Sequence, residues 1–127
     1  MSKVLLVDDE EAILRMLAQV FERDGFAVVT VKSAVQGAAM LAQGAAFDVV
    51  ITDLRMESPL AGFEVVRAAN QAIPRPVIVI LTAFPVPTAD WRNAGADALW
   101  VKGMNTLGLP KELKKLIEKQ VFPRRIA

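Results

Sequence analysis

The sequence predicts an α/β fold in which helices cover both faces of a doubly wound, five-stranded parallel sheet. Five short apolar runs, rich in β-branched residues, have the length of strands rather than of buried helices. Segments with apolar residues at helical spacing separate the runs, and strands that alternate with helices build parallel sheets through right-handed crossovers. The apolar share of 54% is high enough to bury most of these elements on at least one face.

Four of the predicted strands should be buried on both faces, and the fifth, at Phe26–Val31, has a weaker pattern. The four are Val4–Val7, Val49–Ile51, Val77–Leu81 and Leu99–Val101. For five strands the common order is 2-1-3-4-5, the flavodoxin-like arrangement, in which a crevice opens where strands one and three diverge. Ligands of such sheets bind outside the carboxyl ends of the strands.

Turn and capping residues set the ends of the first three predicted helices. Asp9 is expected to cap the first helix, and Gly25 to end it in a left-handed conformation. Ser33 is expected to cap the second. The third should end before Pro74, and its apolar side is outlined by Phe63, Val66, Asn70 and Ile73.

Prolines limit the last two predicted helices. Pro85 and Pro87 confine the fourth helix to Thr88–Ala94, so it should be short. The fifth has Pro110 in its first turn and should end at Pro123. Its expected buried residues are Leu113, Leu116, Ile117 and Val121.

Composition excludes several classes of protein. A chain of 127 residues is one domain at roughly 150 residues per domain. The net charge of +1 gives no overall attraction to nucleic acid or to an acidic membrane. The sequence has no cysteine or histidine, which excludes disulfides, thiolate or imidazole zinc sites and a histidine general base. No run is apolar for long enough to form a signal peptide or a membrane span, so a cytoplasmic protein is expected.

Polar residues follow the predicted strands at the rim where ligands are expected. Asp8 and Asp9 follow the first strand, Asp53 the third, Thr82 the fourth and Lys102 the fifth. Carboxylates gathered in one crevice repel each other unless a cation joins them, and an all-oxygen site suits Mg²⁺. A metal, an ammonium and a hydroxyl together match the oxygens of a phosphoryl group. Asp53 is then the candidate nucleophile.

Four segments in this order resemble the motifs of the receiver domains of response regulators, the CheY-like family of two-component signal transduction. They extend over essentially the whole chain and are Val4–Glu10, Asp48–Met56, Ile80–Ala83 and Gly95–Lys102. The resemblance implies that Asp53 is phosphorylated by a sensor histidine kinase or a phosphotransfer protein. It also implies that the domain signals by changing its protein-binding surface and is not an enzyme that turns over an external substrate.

The resemblance also assigns roles to individual residues. Mg²⁺ would be bound by Asp8, through water, and directly by Asp9, Asp53 and the backbone carbonyl of Arg55. The phosphoryl-binding residues would be Thr82, Ala83 and Lys102. The output surface would be the face formed by helix four, strand five and helix five, with Leu99, Trp100 and Trp91, and a homodimer through this face is left open. The output protein is not identified, and neither nucleic acid nor a membrane is expected as a direct partner.

The sequence departs from the family pattern in places that bear on output. Leu99 stands where the family usually has an aromatic switch residue, and Gly103 where a cis proline usually follows the lysine. The loop from Asp53 to Gly62 is about one residue longer than usual, and Glu57 replaces the usual proline after Met56. Because of these differences an alternative function remains, that of a degenerate receiver that binds its partners without phosphorylation.

Two other functional classes fit the residues less well. A phosphatase that forms an aspartyl phosphate needs a carboxylate two residues after its nucleophile, and that position is Arg55. A nucleotide or flavin site would place glycine or hydroxyl residues after the first strand, where Asp8 and Asp9 would repel a phosphate. The expected organisation is a receiver domain at 1–122, with 123–127 as a tail or the start of a linker.

Overall fold

A computed structural model describes residues 2–126 of the chain, with side chains up to Gln120. Its sheet has five parallel strands in the order β2-β1-β3-β4-β5. The strands are β1 Lys3–Val7, β2 Ala27–Val31, β3 Val49–Thr52, β4 Val77–Thr82 and β5 Ala98–Val101. The predicted fold and strand order are therefore confirmed.

Five α-helices connect and cover the strands. They are α1 Glu11–Arg23, α2 Ala34–Ala42, α3 Gly62–Gln71, α4 Thr88–Asn93 and α5 Leu109–Ile126. A single 3₁₀ turn at Thr106–Gly108 leads into α5. Within the described part of the chain, no helix is both long and apolar enough to cross a membrane.

Two hydrophobic clusters hold the helices against the sheet, one on each face. Leu5, Val50 and Ile78 belong to the cluster under α2 and α3. Their neighbours Leu6, Ile51 and Val79 belong to the cluster under α1 and α5. The central strands must supply both clusters because successive side chains of a strand point to opposite faces. This requirement explains why β1, β3 and β4 are apolar without alternation.

The edge strands are less buried than the central ones. The prediction that the strand at Leu99–Val101 is buried on both faces is wrong, because each residue of β5 is only half-buried. β5 lies at the edge of the sheet, and its neighbour α4 is only six residues long. One short helix covers too little of the strand to remove it from solvent.

Two of the predicted helix ends are confirmed. Gly25 follows α1 with φ of 91° and donates its N–H to the Glu22 carbonyl at 3.1 Å. Glycine adopts this left-handed conformation without the steric cost that a Cβ would bring. The Ser33 hydroxyl caps α2 by accepting a hydrogen bond from the Gln36 N–H at 3.1 Å.

Three other predictions about the helices need correction. α1 begins at Glu11, so Glu10 rather than Asp9 takes the capping position. α3 ends before Pro74, as predicted, but already at Gln71, so Ile73 lies beyond the helix and is 97% exposed instead of belonging to its apolar side. α5 continues through Pro123, because the fixed φ of proline, about −65°, is also that of a helix, although one hydrogen bond is lost. The burial predicted for Val121 lies outside the described side chains.

Candidate functional site

The polar residues of the site stand where the backbone leaves the sheet. The Asp8 N–H donates to the Val31 carbonyl at 3.2 Å, and the Asp53 N–H to the Val7 carbonyl at 2.9 Å. These bonds continue the hydrogen bonding of the sheet by one residue past the ends of β1 and β3. The carboxylates are therefore carried by backbone that the sheet fixes in place.

Lys102 joins the two buried carboxylates of this rim. Its Nζ lies 2.6 Å from Asp53 Oδ2, 2.7 Å from Asp8 Oδ2 and 3.4 Å from Glu10 Oε1. The Lys102 N–H donates to the Thr82 carbonyl at 2.9 Å, which places the lysine at the ends of β4 and β5. The structure thus brings Asp8, Asp53 and Lys102 into direct contact.

Burial makes these charges sensitive to one another. Asp8 and Asp53 are only 4% and 5% exposed. Burial raises the pKa of the Asp8 carboxyl above its ordinary value and outweighs its hydrogen bonds from Lys102 and from the Glu10 N–H. Burial alone would lower the pKa of the Lys102 ammonium, but its contacts with Asp53 and Asp8 raise it. Lys102 is therefore held in its protonated form, whereas burial makes ionisation of Asp8 less favourable than that of an exposed aspartate.

Both oxygens of the Asp53 carboxylate have a donor. Oδ1 accepts a hydrogen bond from the Leu54 N–H at 2.7 Å, and Oδ2 contacts the Lys102 ammonium. These two contacts hold the carboxylate in one orientation at the mouth of the crevice. A phosphorus atom that approached from solvent would meet an oriented nucleophile with a cation beside it.

The acidic cluster offers a place for a second cation. Oxygen atoms of Asp8, Asp9 and Glu10 all lie within 4.8 Å of one another. With Asp53 the rim has four carboxylates, and the Lys102 ammonium contacts three of them, so negative charge is in excess there. This oxygen-only donor set fits Mg²⁺. Glu10 is not among the metal ligands that sequence analysis assigned, although it directly follows the two predicted acids.

Thr82 ends β4 and is completely buried. Its Oγ1 accepts a hydrogen bond from the Phe84 N–H at 3.2 Å, which leaves the hydroxyl proton to be donated elsewhere. Ala83 is exposed in the loop that follows. Thr82 therefore connects the rim to the loop that leads into α4.

Arg55 joins the loops that follow β3 and β4. Its guanidinium carbon lies 4.2 Å from the centre of the Phe84 ring, a cation–π distance. Phe84 is 58% exposed, so this pair lies at the surface beside the site. Sequence analysis assigned a role only to the backbone carbonyl of Arg55, because nothing local to the sequence indicates which ring its side chain meets.

Glu57 is a further residue that sequence analysis did not assign to the site. Its Oε1 accepts a hydrogen bond from the Ala34 N–H at 2.9 Å, and its Oε2 accepts one from the Val35 N–H at 3.0 Å. These donors belong to the first turn of α2. Glu57 is exposed, and the slight desolvation that works against its ionisation is outweighed by hydrogen bonds from these two N–H groups and from its own, which lower the pKa of the carboxyl.

The predicted output residues divide between the two faces of the sheet. Trp91 and Leu99 pack against the cluster under α2 and α3. Trp100 packs against the opposite cluster, under α1 and α5. All three are half-buried. The two indoles therefore report on different sides of the sheet.

Comparison with protein families gives one match over most of the chain. The model of the response regulator receiver domain matches residues 4–117. The alginate biosynthesis transcriptional regulatory protein AlgB of Pseudomonas aeruginosa is 36% identical over 126 residues. That alignment covers 98% of this chain but 27% of AlgB, so the chain spans about a quarter of this relative's length.

Solved structures agree with this match. A CheY-like receiver domain protein from Methanospirillum hungatei superposes with a TM-score of 0.85 at 25% identity, covering 97% of this chain and 98% of that one. The response regulator TrrA from Thermotoga maritima, in complex with Mg²⁺ and BeF, gives a TM-score of 0.78 at 28% identity. It covers 91% of this chain and 99% of its own.

Proposed function

The chain belongs to the response regulator receiver domain family, and on this premise we propose that Asp53 accepts a phosphoryl group in a reaction that requires Mg²⁺. The donor would be a phosphohistidine on a sensor histidine kinase or a phosphotransfer protein. The observation that carries this proposal is the buried Asp53 carboxylate, whose Oδ2 lies 2.6 Å from Lys102 Nζ beside the acidic cluster. Proteins of this family do not turn over an external substrate.

In the proposed reaction, an Asp53 carboxylate oxygen forms a bond to phosphorus while the bond from phosphorus to the donor's imidazole nitrogen breaks. The electron pair of the broken bond stays on that nitrogen. The Lys102 ammonium would pair with the phosphoryl oxygens, and Thr82 and Ala83 would bind them after transfer. Asp8, Asp9, Asp53 and the Arg55 carbonyl would hold Mg²⁺, which supplies positive charge for the phosphoryl oxygens.

The proposed output is a changed surface for a protein partner, on the face of α4, β5 and α5. AlgB carries the name of a transcriptional regulator, and control of transcription through a further output domain is a proposal for this chain. Direct contact with nucleic acid is not proposed, because Glu112 and Glu118 interrupt the lysines along α5. A receiver domain at 1–122, a cytoplasmic location and a homodimer through this face remain predictions.

Intact-protein mass spectrometry tests the proposal. After incubation with acetyl phosphate and Mg²⁺, the wild type should gain the mass of one phosphoryl group. Asp53→Asn should gain none, because an amide cannot act as the nucleophile, and EDTA should suppress the gain in the wild type.

Two results would contradict the proposed function. A phosphoryl group that persists in Asp53→Asn would place the acceptor elsewhere. A wild type that gains no phosphoryl group from acetyl phosphate or from a phosphohistidine donor would favour the degenerate receiver.

A further inference from the structure

The segment that connects Asp53 to α3, residues 54–61, is called here the acceptor loop. It is anchored at both ends. The Asp53 N–H bonds to the Val7 carbonyl at 2.9 Å, and the Gly62 N–H bonds to the Leu54 carbonyl at 3.0 Å. A Cβ on Gly62 would lie 1.9 Å from the Asp53 carbonyl oxygen, so α3 begins in close contact with the backbone of the acceptor.

The middle of the acceptor loop is held by Glu57. Each of its carboxylate oxygens takes one N–H from the first turn of α2, Ala34 at 2.9 Å and Val35 at 3.0 Å. Such charge-assisted bonds at the positive end of a helix are stronger than those between neutral groups. Between Asp53 and Glu57 only three residues remain, and Arg55 is the central one.

α2 has a capping residue besides Glu57. The Ser33 hydroxyl accepts the Gln36 N–H at 3.1 Å, as a cap of the helix's own sequence normally does. Glu57, by contrast, belongs to a loop outside α2. It lies 23 residues after Ala34 and 22 residues after Val35, the two residues whose N–H groups it binds. Its two bonds therefore hold the acceptor loop as well as the helix.

We propose that Glu57 is a positioning residue that holds the acceptor loop against α2, so that the Arg55 carbonyl is kept in place to bind Mg²⁺. The inference rests on the proposed function, since it deepens the account of the same site. Asp53 and Leu54 are fixed by the sheet and by the Gly62 N–H, and α2 fixes the second anchor, Glu57, so that Arg55 and Met56 lie between anchored residues. Without the second anchor, the backbone at Arg55 would sample other conformations, and Mg²⁺ binding would bear the entropic cost of ordering it.

The experiment compares Glu57→Ala and Glu57→Gln with Ser33→Ala, the matched control. Ser33→Ala removes a cap from the same end of α2 but leaves the acceptor loop anchored. Isothermal titration with MgCl₂ gives the Mg²⁺ affinity of each protein, thermal melting gives its stability, and acetyl phosphate with Mg²⁺ gives its phosphorylation rate.

We expect Glu57→Ala to weaken Mg²⁺ binding roughly tenfold, the size of effect that residues supporting a metal ligand usually have. Phosphorylation at subsaturating Mg²⁺ should slow in proportion and recover at saturating Mg²⁺. Glu57→Gln should fall between Glu57→Ala and the wild type, because its amide keeps one acceptor oxygen. Ser33→Ala should lower the melting temperature and leave the Mg²⁺ affinity unchanged.

Two outcomes would overturn the inference. If both Glu57 variants bind Mg²⁺ as the wild type does, Glu57 is only a helix cap. If Ser33→Ala weakens Mg²⁺ binding as much as Glu57→Ala, the effect belongs to α2 and not to the anchored loop. A wild type that does not bind Mg²⁺ would instead refute the proposed function, and this inference with it.

Discussion

Asp8 is a buried acid of the candidate site, and its burial disfavours the ionised form of its carboxyl. Its raised pKa means that folding favours the protonated carboxyl over the carboxylate. The stability that this group contributes is therefore fully present below the ordinary pKa of 3.8 and is lost as the pH rises through the higher pKa of the folded state. Above that pKa, we expect the burial of Asp8 to lower the free energy of unfolding and its contact with Lys102 to offset part of this cost.

Asp8→Asn should therefore raise the free energy of unfolding at pH 7 by about 1 kcal/mol, the usual size of a single substitution's effect, because Lys102 keeps Asp53 and Glu10 as partners. The difference from the wild type should shrink as the pH is lowered through the raised pKa of Asp8, because the wild-type carboxyl then takes up a proton. Urea denaturation at several pH values measures this. The control is Glu118→Gln, which removes an exposed acid of α5 and should change little. A variant less stable than the wild type at pH 7 would show that the ion pair with Lys102 outweighs the cost of burial.

At the scale of elements, the connection between β4 and α4 provides a path by which the proposed phosphorylation of Asp53 would change a surface. The Thr82 hydroxyl has a proton to donate, and its oxygen already bonds the Phe84 N–H at the start of the loop. Pro85 and Pro87 stiffen this loop, and α4 has only six residues, none of them buried. Movement of Thr82 toward a phosphoryl group should therefore carry α4 as a unit.

Tryptophan emission tests this path, because Trp91 lies on α4 while Trp100 lies on the opposite side of the sheet. We expect beryllofluoride with Mg²⁺ to change the emission of Trp100→Phe, in which Trp91 remains. Trp91→Phe should respond little, because Leu99 lacks the bulk and hydroxyl of an aromatic switch. A response carried by Trp100 alone, or one lost in Leu99→Ala while phosphorylation persists, would make β5 the switch.

For the whole molecule, we expect the excess of negative charge at the rim to couple folding to the proposed binding of a cation. A cation that binds only the folded state stabilises it by about 2.7 kcal/mol at a hundredfold excess over its Kd. Mg²⁺ should therefore raise the melting temperature of the wild type. The rise should be smaller in Asp8→Asn, which has lost one of the acids.

Thermal melting with and without MgCl₂ measures this coupling. NaCl at equal ionic strength controls for general screening of surface charges. A melting temperature that responds equally to both salts would remove the support for a specific magnesium site.

The sequence by itself determined the fold and the positions of the rim residues. Strand and helix periods, the glycine after α1 and the Ser33 cap are local signals, because each depends on residues a few positions apart. Once the strands are parallel, their carboxyl ends must meet at one edge. Asp8, Asp53 and Lys102 could therefore be assigned to one site before any distance was known.

Only the tertiary structure decided which partners these residues and their loops meet. Lys102 reaches Glu10 across 92 positions, and Glu57 reaches the first turn of α2 across 23. The half-burial of β5 likewise depends on its place at the edge of the sheet and on the length of α4. Local sequence governs the hydrogen bonds and the backbone dihedral angles within one element. The partners of a loop side chain, by contrast, depend on which elements become neighbours when both faces of the sheet are covered.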